Sequence, residues 1–230
     1  HHAPAAHELR APMSSIYGFV ELMLTRPLAE DDRKEYLQIV YEQTHGLIRM
    51  VNELLDLTRI EARAGRDFHF EMQQTAGVMH KALQELNLPQ DSHPVRFTEG
   101  EEGMPDVRID KEKIKQVFTN VLSNAWKYSP HGGPIEIRQV LERSDSGDML
   151  AVCVTDHGIG MSKEHQLKAF DRFFRADTSG AIPGTGLGLA LVKEIMQIHG
   201  GNVSIDSLPG VGTSITLRFP IDQSDQKGDA

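Results

Sequence analysis

At 230 residues, the chain is long enough for one large domain or two modest ones, and 39% hydrophobic with 25% charged residues is a globular composition. The balance of 24 Lys and Arg against 33 Asp and Glu, a net charge of −9, excludes a general nucleic-acid backbone binder, which needs a concentrated basic surface. A single cysteine, Cys153, rules out an intramolecular disulfide or a cysteine zinc cluster and fits a reducing compartment. No run of about eighteen apolar residues and no signal-peptide pattern is present, so the expectation is a soluble segment, free-standing or part of a longer membrane protein.

In chain order, Leu9, Met13, Ile16, Val20 and Met23 recur at spacings of four and three, which predicts a helix over Ala5–Thr25 with a heptad seam. Pro27 and the acidic run Glu30-Asp31-Asp32 mark a turn and a new helix start. Leu37, Val40, Thr44, Leu47, Val51, Leu54 and Thr58 then carry a second seam to about Arg63. Two helices on a short loop form a hairpin with one side of each seam uncovered. The expectation is that two copies close into a four-helix bundle, the alternative being a hairpin packed on its own C-terminal domain.

After Ala64-Gly65 the pattern shortens. Phe68–Gln73, Val95–Thr98, Val107–Ile109, Ile135–Leu141, Leu150–Thr155, Val203–Ser207 and Ser214–Phe219 read as strands. Helical stretches fall at Thr75–Leu88, Lys111–Tyr128, with Asp110 as cap, and Leu187–His199. This order predicts an α+β sandwich with helices on one face of a mixed sheet, Cys153 facing its core. The segment from His157 to Gly184 is rich in Gly, charge and aromatics without a sustained period and reads as a long mobile loop, while the tail beyond Asp222 is expected to fray. The expected division is 1–64 for the hairpin, 65–222 for the sandwich and 223–230 for the tail.

Four features carry chemistry. At about 100° per residue, His7 lies roughly 160° from the first seam and is presented to solvent. Glu8 beside it can hold one tautomer and accept a proton, which makes the other ring nitrogen a better nucleophile. Asn120, Asn124, Lys127 and Tyr128, at relative positions 0, +4, +7 and +8, form one stripe along a helix. Such a set can ligate magnesium, neutralise phosphate oxygens and cover a planar base, although a solvent-facing polar stripe has the same spacing. Asp156 ends a strand and is followed by Gly158 and Gly160, so its carboxylate can enter a pocket while the chain turns sharply. Gly184-Thr185-Gly186-Leu187-Gly188-Leu189 opens into a helix, where unpaired N–H groups and the helix dipole favour phosphate. It matches neither GxxxxGK[ST] nor GxGxxG.

In this order the segments resemble the sensor histidine kinases of two-component signalling over nearly the whole chain. His7-Glu8-Leu9-Arg10-Ala11-Pro12 is similar to the H-box, and Asn120 to Tyr128 to the N-box. Asp156 to Gly160 is similar to the G1 box, Phe170-Asp-Arg172-Phe173-Phe174-Arg175 to the F-box, and Gly184 to Leu189 to the G2 box. The resemblance implies a dimerisation and phosphotransfer hairpin forming a homodimeric four-helix bundle, followed by a Bergerat-type ATP-binding sandwich with a mobile lid. It implies that His7 attacks the ATP γ-phosphate with Glu8 as general base, and that an aspartate of a response regulator receives the phosphoryl group. Asn124, helped by Asn120, would hold Mg²⁺, Lys127 would contact phosphate and Tyr128 would cover the nucleotide. Asp156 would accept from the adenine amino group. Gly158, Gly160, Gly184, Thr185, Gly186, Leu187 and Gly188 would complete the nucleotide site, and Arg172 or Arg175 would reach the γ-phosphate as Phe170, Phe173 and Phe174 clamp the lid on the hairpin.

Further expectations follow from the resemblance. Many members carry Thr or Asn where this chain has Ala11, three residues beyond Glu8, so the implied phosphatase activity towards the regulator is weak. With six residues ahead of His7, the first helix is expected to be shortened at its signal-receiving end. The core is expected to be cytoplasmic, in a parent protein held at a membrane. The alternative reading is a dimeric ATP-binding scaffold without kinase activity, in which a magnesium ligand and a solvent-facing histidine together would serve no purpose.

Overall fold

The computed structural model describes residues 3–177 and 182–221, with side chains from His7 onward. Helix α1 spans Ala3–Thr25 and includes Pro12, and α2 spans Glu30–Arg63. The first turn of α2 holds Glu30, Asp31 and Asp32, where the helix dipole favours negative charge, and its last turn holds Arg63. The two helices pair antiparallel, with the Phe19 and Tyr36 ring centroids 5.1 Å apart.

The predicted seams divide between two environments. Leu9, Ile16 and Met23 of α1, with Val40, Thr44, Leu47 and Leu54 of α2, are half-buried. Met13 and Val20 lie outside with Tyr17 and Leu24, as does Val51 with Leu37, Tyr41, Ile48 and Leu55. The hairpin therefore covers part of its apolar surface and leaves a continuous strip open. Lower down α2, Met50, Leu57 and Ile60 are buried in the core of the following sandwich, so α2 also packs on its own C-terminal partner.

That sandwich begins with β1 (Glu71–Gln73), α3 (Thr75–Leu86), β2 (Val95–Glu99), β3 (Val107–Ile109) and α4 (Lys111–Lys127). It continues with β4 (Ile135–Glu142), β5 (Met149–Asp156), α5 (Lys163–Lys168), α6 (Gly188–Ile198), β6 (Asn202–Leu208) and β7 (Gly212–Pro220). Five strands form a mixed sheet in the order β2-β4-β5-β7-β6, parallel only between β2 and β4, while β1 and β3 make a separate antiparallel pair. Ile135, Ile137, Leu150, Val152, Val154, Ile215, Leu217 and Phe219 point from the sheet into the helical layer. Opposite them, α4 contributes Ile114, Val117, Phe118, Val121, Leu122 and Ala125, and α6 contributes Leu191, Val192, Ile195 and Met196. Among the described residues no helix is long and apolar enough to cross a membrane.

Three expectations need correction or narrowing. Cys153 does not face the core: strand alternation gives that side to Val152 and Val154, and Cys153 lies half-buried on the open face, in register with Arg138 and Thr216. Of Phe68–Gln73, only Glu71–Gln73 forms a strand, because Phe68 and Phe70 pack on His199 instead. The segment expected to be loop from His157 to Gly184 includes α5, capped by Ser162, whose Oγ accepts from the His165 N–H at 3.2 Å. Residues 178–181 and the expected tail at 223–230 lie outside the described residues.

One buried polar network ties the helical layer together. Asp110 caps α4 as expected, its Oδ1 accepting from the Glu112 and Lys113 N–H groups at 3.0 Å each, while Oδ2 accepts from the His69 N–H at 2.8 Å. Its own N–H donates to His199 Nε2 at 3.0 Å, and Nδ1 of that ring donates to the Ile195 carbonyl at 2.8 Å. His199 must therefore be neutral, and burial holds its pKa below the usual histidine value. Because the unfolded chain binds the proton more tightly, this contribution is complete above about pH 6.5 and is lost as pH falls through the lower folded value. Substituting His199→Ala leaves the Asp110 N–H unpaired and a cavity between two phenylalanines, so urea denaturation at pH 7.5 is expected to show a loss of about 2–4 kcal/mol. The difference from the parent should shrink as the buffer is taken towards pH 5.

Candidate functional site

Helix α4 has one apolar and one polar face. Its buried residues fix the orientation of the helix, and the remaining arc, with Tyr128 at the C-cap, presents Asn120, Ser123, Asn124, Lys127 and Tyr128 to a cleft. Across the cleft stand Asp156 at the end of β5, and Thr213 and Ile215 of β7. Gly160, Met161, Ala169, Phe174 and Ala176, with Gly184, Thr185 and Gly186, line the loop side, and Gly188 and Leu189 begin α6. Helix α2 adds one side chain, Glu53.

Asp156 is held by its backbone surroundings. Its Oδ1 accepts from the Gly158 N–H at 2.9 Å and the Thr213 N–H at 3.2 Å, which leaves Oδ2 with no hydrogen-bond partner among the described residues. Burial pushes this carboxyl up to about 6, against the opposing pull of the two backbone donors. Gly158 does not line the cleft. Its place is steric, since a Cβ there would sit 1.9 Å from the Tyr128 carbonyl oxygen, so the Asp156 turn can close on the end of α4 only through glycine.

The start of α6 is open. Leu187, its N-cap, makes no side-chain capping bond and buries its side chain in the core, so its own contribution to the cleft is confined to the backbone. Gly186, at φ +72°, passes 2.7 Å from the Phe173 backbone when given a Cβ, and its carbonyl accepts from the Phe173 N–H at 2.8 Å. Asn120 Nδ2 donates to the Gly188 carbonyl at 3.4 Å, which joins the α4 stripe to the helix start and leaves the amide oxygen without a partner among the described residues.

The electrostatics depart locally from the acidic whole. Burial lowers the Lys127 pKa, the positive charge of Arg49 acts in the same direction and Glu53 opposes it. Burial raises the Tyr128 phenol, with Arg175 opposing that rise and Asp177 adding to it. Arg49, Lys127 and Arg175 thus surround the same end of the cleft. Arg172 and Arg175 do not line it: Arg172 pairs with Glu61 of α2, and Arg175 donates to the Ile182 carbonyl.

His7 and Glu8 stand apart from the cleft. The His7 side chain is 79% exposed, with Nδ1 3.7 Å from Glu8 Oε1, and Nε2 has no partner among the described residues.

Ten predicted residues therefore share one cleft: Asn120, Asn124, Lys127, Tyr128, Asp156, Gly160, Gly184, Thr185, Gly186 and Gly188. Sequence reasoning missed Glu53, Ser123, Met161, Thr213 and Ile215. Ser123 lies on the arc of the stripe and was accessible to the same wheel argument, whereas Glu53 and Thr213 arrive only through tertiary packing.

Comparison with known proteins matches residues 109–223 to the histidine kinase-, DNA gyrase B-, and HSP90-like ATPase family and residues 3–63 to the His Kinase A (phospho-acceptor) domain. The sensor histidine kinase WalK of Bacillus subtilis is 35% identical over 225 residues, covering 95% of this chain and 36% of WalK. The Non-motile and phage-resistance protein of Caulobacter vibrioides is 33% identical over 230 residues, 98% of this chain and 27% of that protein. The chain thus spans about a quarter to a third of these two relatives. Among solved structures, the histidine kinase ThkA in complex with response regulator protein TrrA superposes with a TM-score of 0.74 at 23% identity, over 95% of this chain and 60% of that one, a likeness of fold. With a phospho-acceptor hairpin in front of a matched ATPase domain, the chain belongs to the sensor histidine kinases.

Proposed function

We propose that this chain is the catalytic core of a sensor kinase that phosphorylates His7 from ATP and passes the phosphoryl group to an aspartate of a response regulator. The observation that carries the reading is the convergence of the α4 stripe, Asp156 and the open start of α6 on one cleft, in a chain that also presents an exposed histidine on a helical hairpin.

The residues divide the work by chemistry. Asp156 Oδ2 accepts from the adenine amino group, and guanine, with an oxygen at that position, is disfavoured. Tyr128 covers the base. The triphosphate lies towards Lys127 and the N–H groups of Thr185, Gly186 and Gly188, with Arg175 close behind. The amide oxygens of Asn124 and Asn120 suit Mg²⁺, a hard cation that takes one or two protein oxygens and fills its remaining positions with phosphate and water. Bound there, magnesium supplies charge neutralisation for the transferring phosphoryl group. Glu8, whose Oε1 stands 3.7 Å from Nδ1, takes up the Nδ1 proton as Nε2 attacks the γ-phosphorus and ADP departs.

The open apolar strip of the hairpin, including Tyr17, Leu24, Tyr41 and Leu55, fits burial against a second copy in a homodimeric four-helix bundle. On this reading residues 1–64 form the dimerisation and phosphotransfer unit and 65–222 the ATP-binding unit. Ala11 is exposed near His7 and offers no side-chain hydrogen bond to orient a hydrolytic water, so phosphatase activity towards the regulator is weak.

The primary test is incubation with γ-labelled ATP and Mg²⁺. The parent should acquire acid-labile, alkali-stable label, His7→Gln none, and Asn124→Ala at most a few per cent; label persisting in His7→Gln would remove the assigned acceptor.

Nucleotide titrations address the base site. The substitution Asp156→Asn keeps an oxygen for the two backbone donors but replaces Oδ2 with a group that cannot accept. ATP affinity should therefore fall about tenfold to a hundredfold, as for loss of a charged hydrogen bond. Protonation has the same sense, so parent affinity should decline below about pH 6, whereas a flat profile from pH 7.5 to 5 would contradict the assignment.

For hydrolysis of the regulator's aspartyl phosphate, the Ala11→Thr variant is expected to release phosphate faster than the parent. An unchanged rate would separate Ala11 from the phosphatase deficit.

A further inference from the structure

Helix α2 reaches the nucleotide loop with two carboxylates. Thr185 Oγ1 donates to Glu53 Oε2, and the Arg172 guanidinium pairs with Glu61 Oε1, contacts between residues 132 and 111 positions apart in sequence. Glu53 and Glu61 lie two turns apart on one side of the helix. Both are partly covered, and both hold groups from the loop rather than from the rigid sheet.

Glu53 stands against the ligand for which the cleft is otherwise suited, while Glu61 holds the same loop from outside the lining. Glu53 is part of the lining, and its negative charge acts on Lys127, the ammonium beside the α4 amides. A polyanion entering that end meets the carboxylate at close range. The Thr185 hydroxyl has one hydrogen to donate, and Glu53 has it. Arg172 is turned to Glu61 and contributes nothing to the lining.

We propose that Glu53 and Glu61 form an acidic latch by which the hairpin holds the loop, and that a triphosphate must displace Glu53 from Thr185 to bind while Glu61 resists the loop movement through Arg172. Hairpin docking and ATP binding then oppose each other, and by linkage each weakens the other by the same factor. This rests on the reading of the cleft as a nucleoside triphosphate site, and the test separates the two.

The experiment is calorimetric titration of ATP and of adenosine into the parent, Glu53→Ala, Glu61→Ala, the double variant and Asp56→Ala. Alanine preserves helix propensity, and Asp56 is an exposed acid of the same helix with no hydrogen bond or ion pair among the described residues. The latch predicts that the double variant binds ATP about threefold to tenfold more tightly, the size of one or two partly exposed charge contacts, with each single variant in between. Adenosine, which lacks phosphates, should bind all five proteins alike, and Asp56→Ala should stay within about twofold of the parent for ATP. Equal ATP affinity in parent and double variant would overturn the latch alone. A gain in Asp56→Ala as large as in the double variant would also overturn it, by assigning the effect to net charge. Failure of ATP to bind any of the five would overturn it together with the nucleotide reading.

Discussion

Helix α4 has to satisfy two opposed demands with the same seventeen residues, and the rest of the structure is arranged around that constraint. One face is sealed into the core by Ile114, Val117, Phe118, Val121 and Leu122, so the helix can neither roll nor slide without opening voids at full packing density. The opposite arc is thereby fixed in direction, and its amides and ammonium, with the Tyr128 phenol at the C-cap, face the cleft. The Asp110 cap, tied to His199 and His69, anchors the start of the helix. At the other end, Tyr128 meets the Asp156 turn through the Ile159 N–H, which donates to the Tyr128 carbonyl at 2.9 Å. Packing thus does for the site what flexible loops cannot: it preorganises the polar groups before a ligand arrives.

The sheet contributes precision in a second way. Asp156 is paired in register with Thr213 across β5 and β7, and the Thr213 N–H holds its Oδ1. The orientation of the carboxylate is therefore a consequence of strand register, which a one-residue slip would abolish by turning the side chain to the open face. Burial raises the cost of ionisation there, and the two backbone donors recover part of it. A carboxylate left with one committed and one uncommitted oxygen is suited to recognising a single donor of a ligand.

What the sequence revealed and what it concealed divide along physical lines. The α4 stripe was legible because a helix converts spacing directly into direction, and the Asp156 turn because a strand end followed by glycines has few alternatives. Cys153 was misread because Leu150–Val154 is an unbroken apolar run, in which the alternation that separates the two faces has no polar marker. The heptad seams predicted the hairpin but not its pairing, since Met13 and Ile16 have the same character although only Ile16 turns inward. Phe68 and Phe70 have strand-forming side chains, yet tilted and edge-on packing against His199 outcompetes the ladder. Glu53, Glu61 and Thr213 carried no local signal, because their roles depend on partners more than fifty residues away.

The charge around the cleft depends on where the hairpin stands. Lys127 belongs to the rigid layer and Arg175 to the loop, but Arg49 and Glu53 both come from α2, one turn apart and opposite in sign, and both act on Lys127. Residues four apart on a helix lie almost directly above one another, so an axial displacement of about one turn, roughly 5.4 Å, exchanges a carboxylate for a guanidinium at the same point. For an anionic ligand the first arrangement is less favourable than the second. At about 8 Å of Debye length in physiological salt, a difference at such close range is little screened, whereas the diffuse net charge of −9 is largely damped. The position of one helix relative to the sandwich is therefore a stronger determinant of the field in the cleft than the composition of the whole chain.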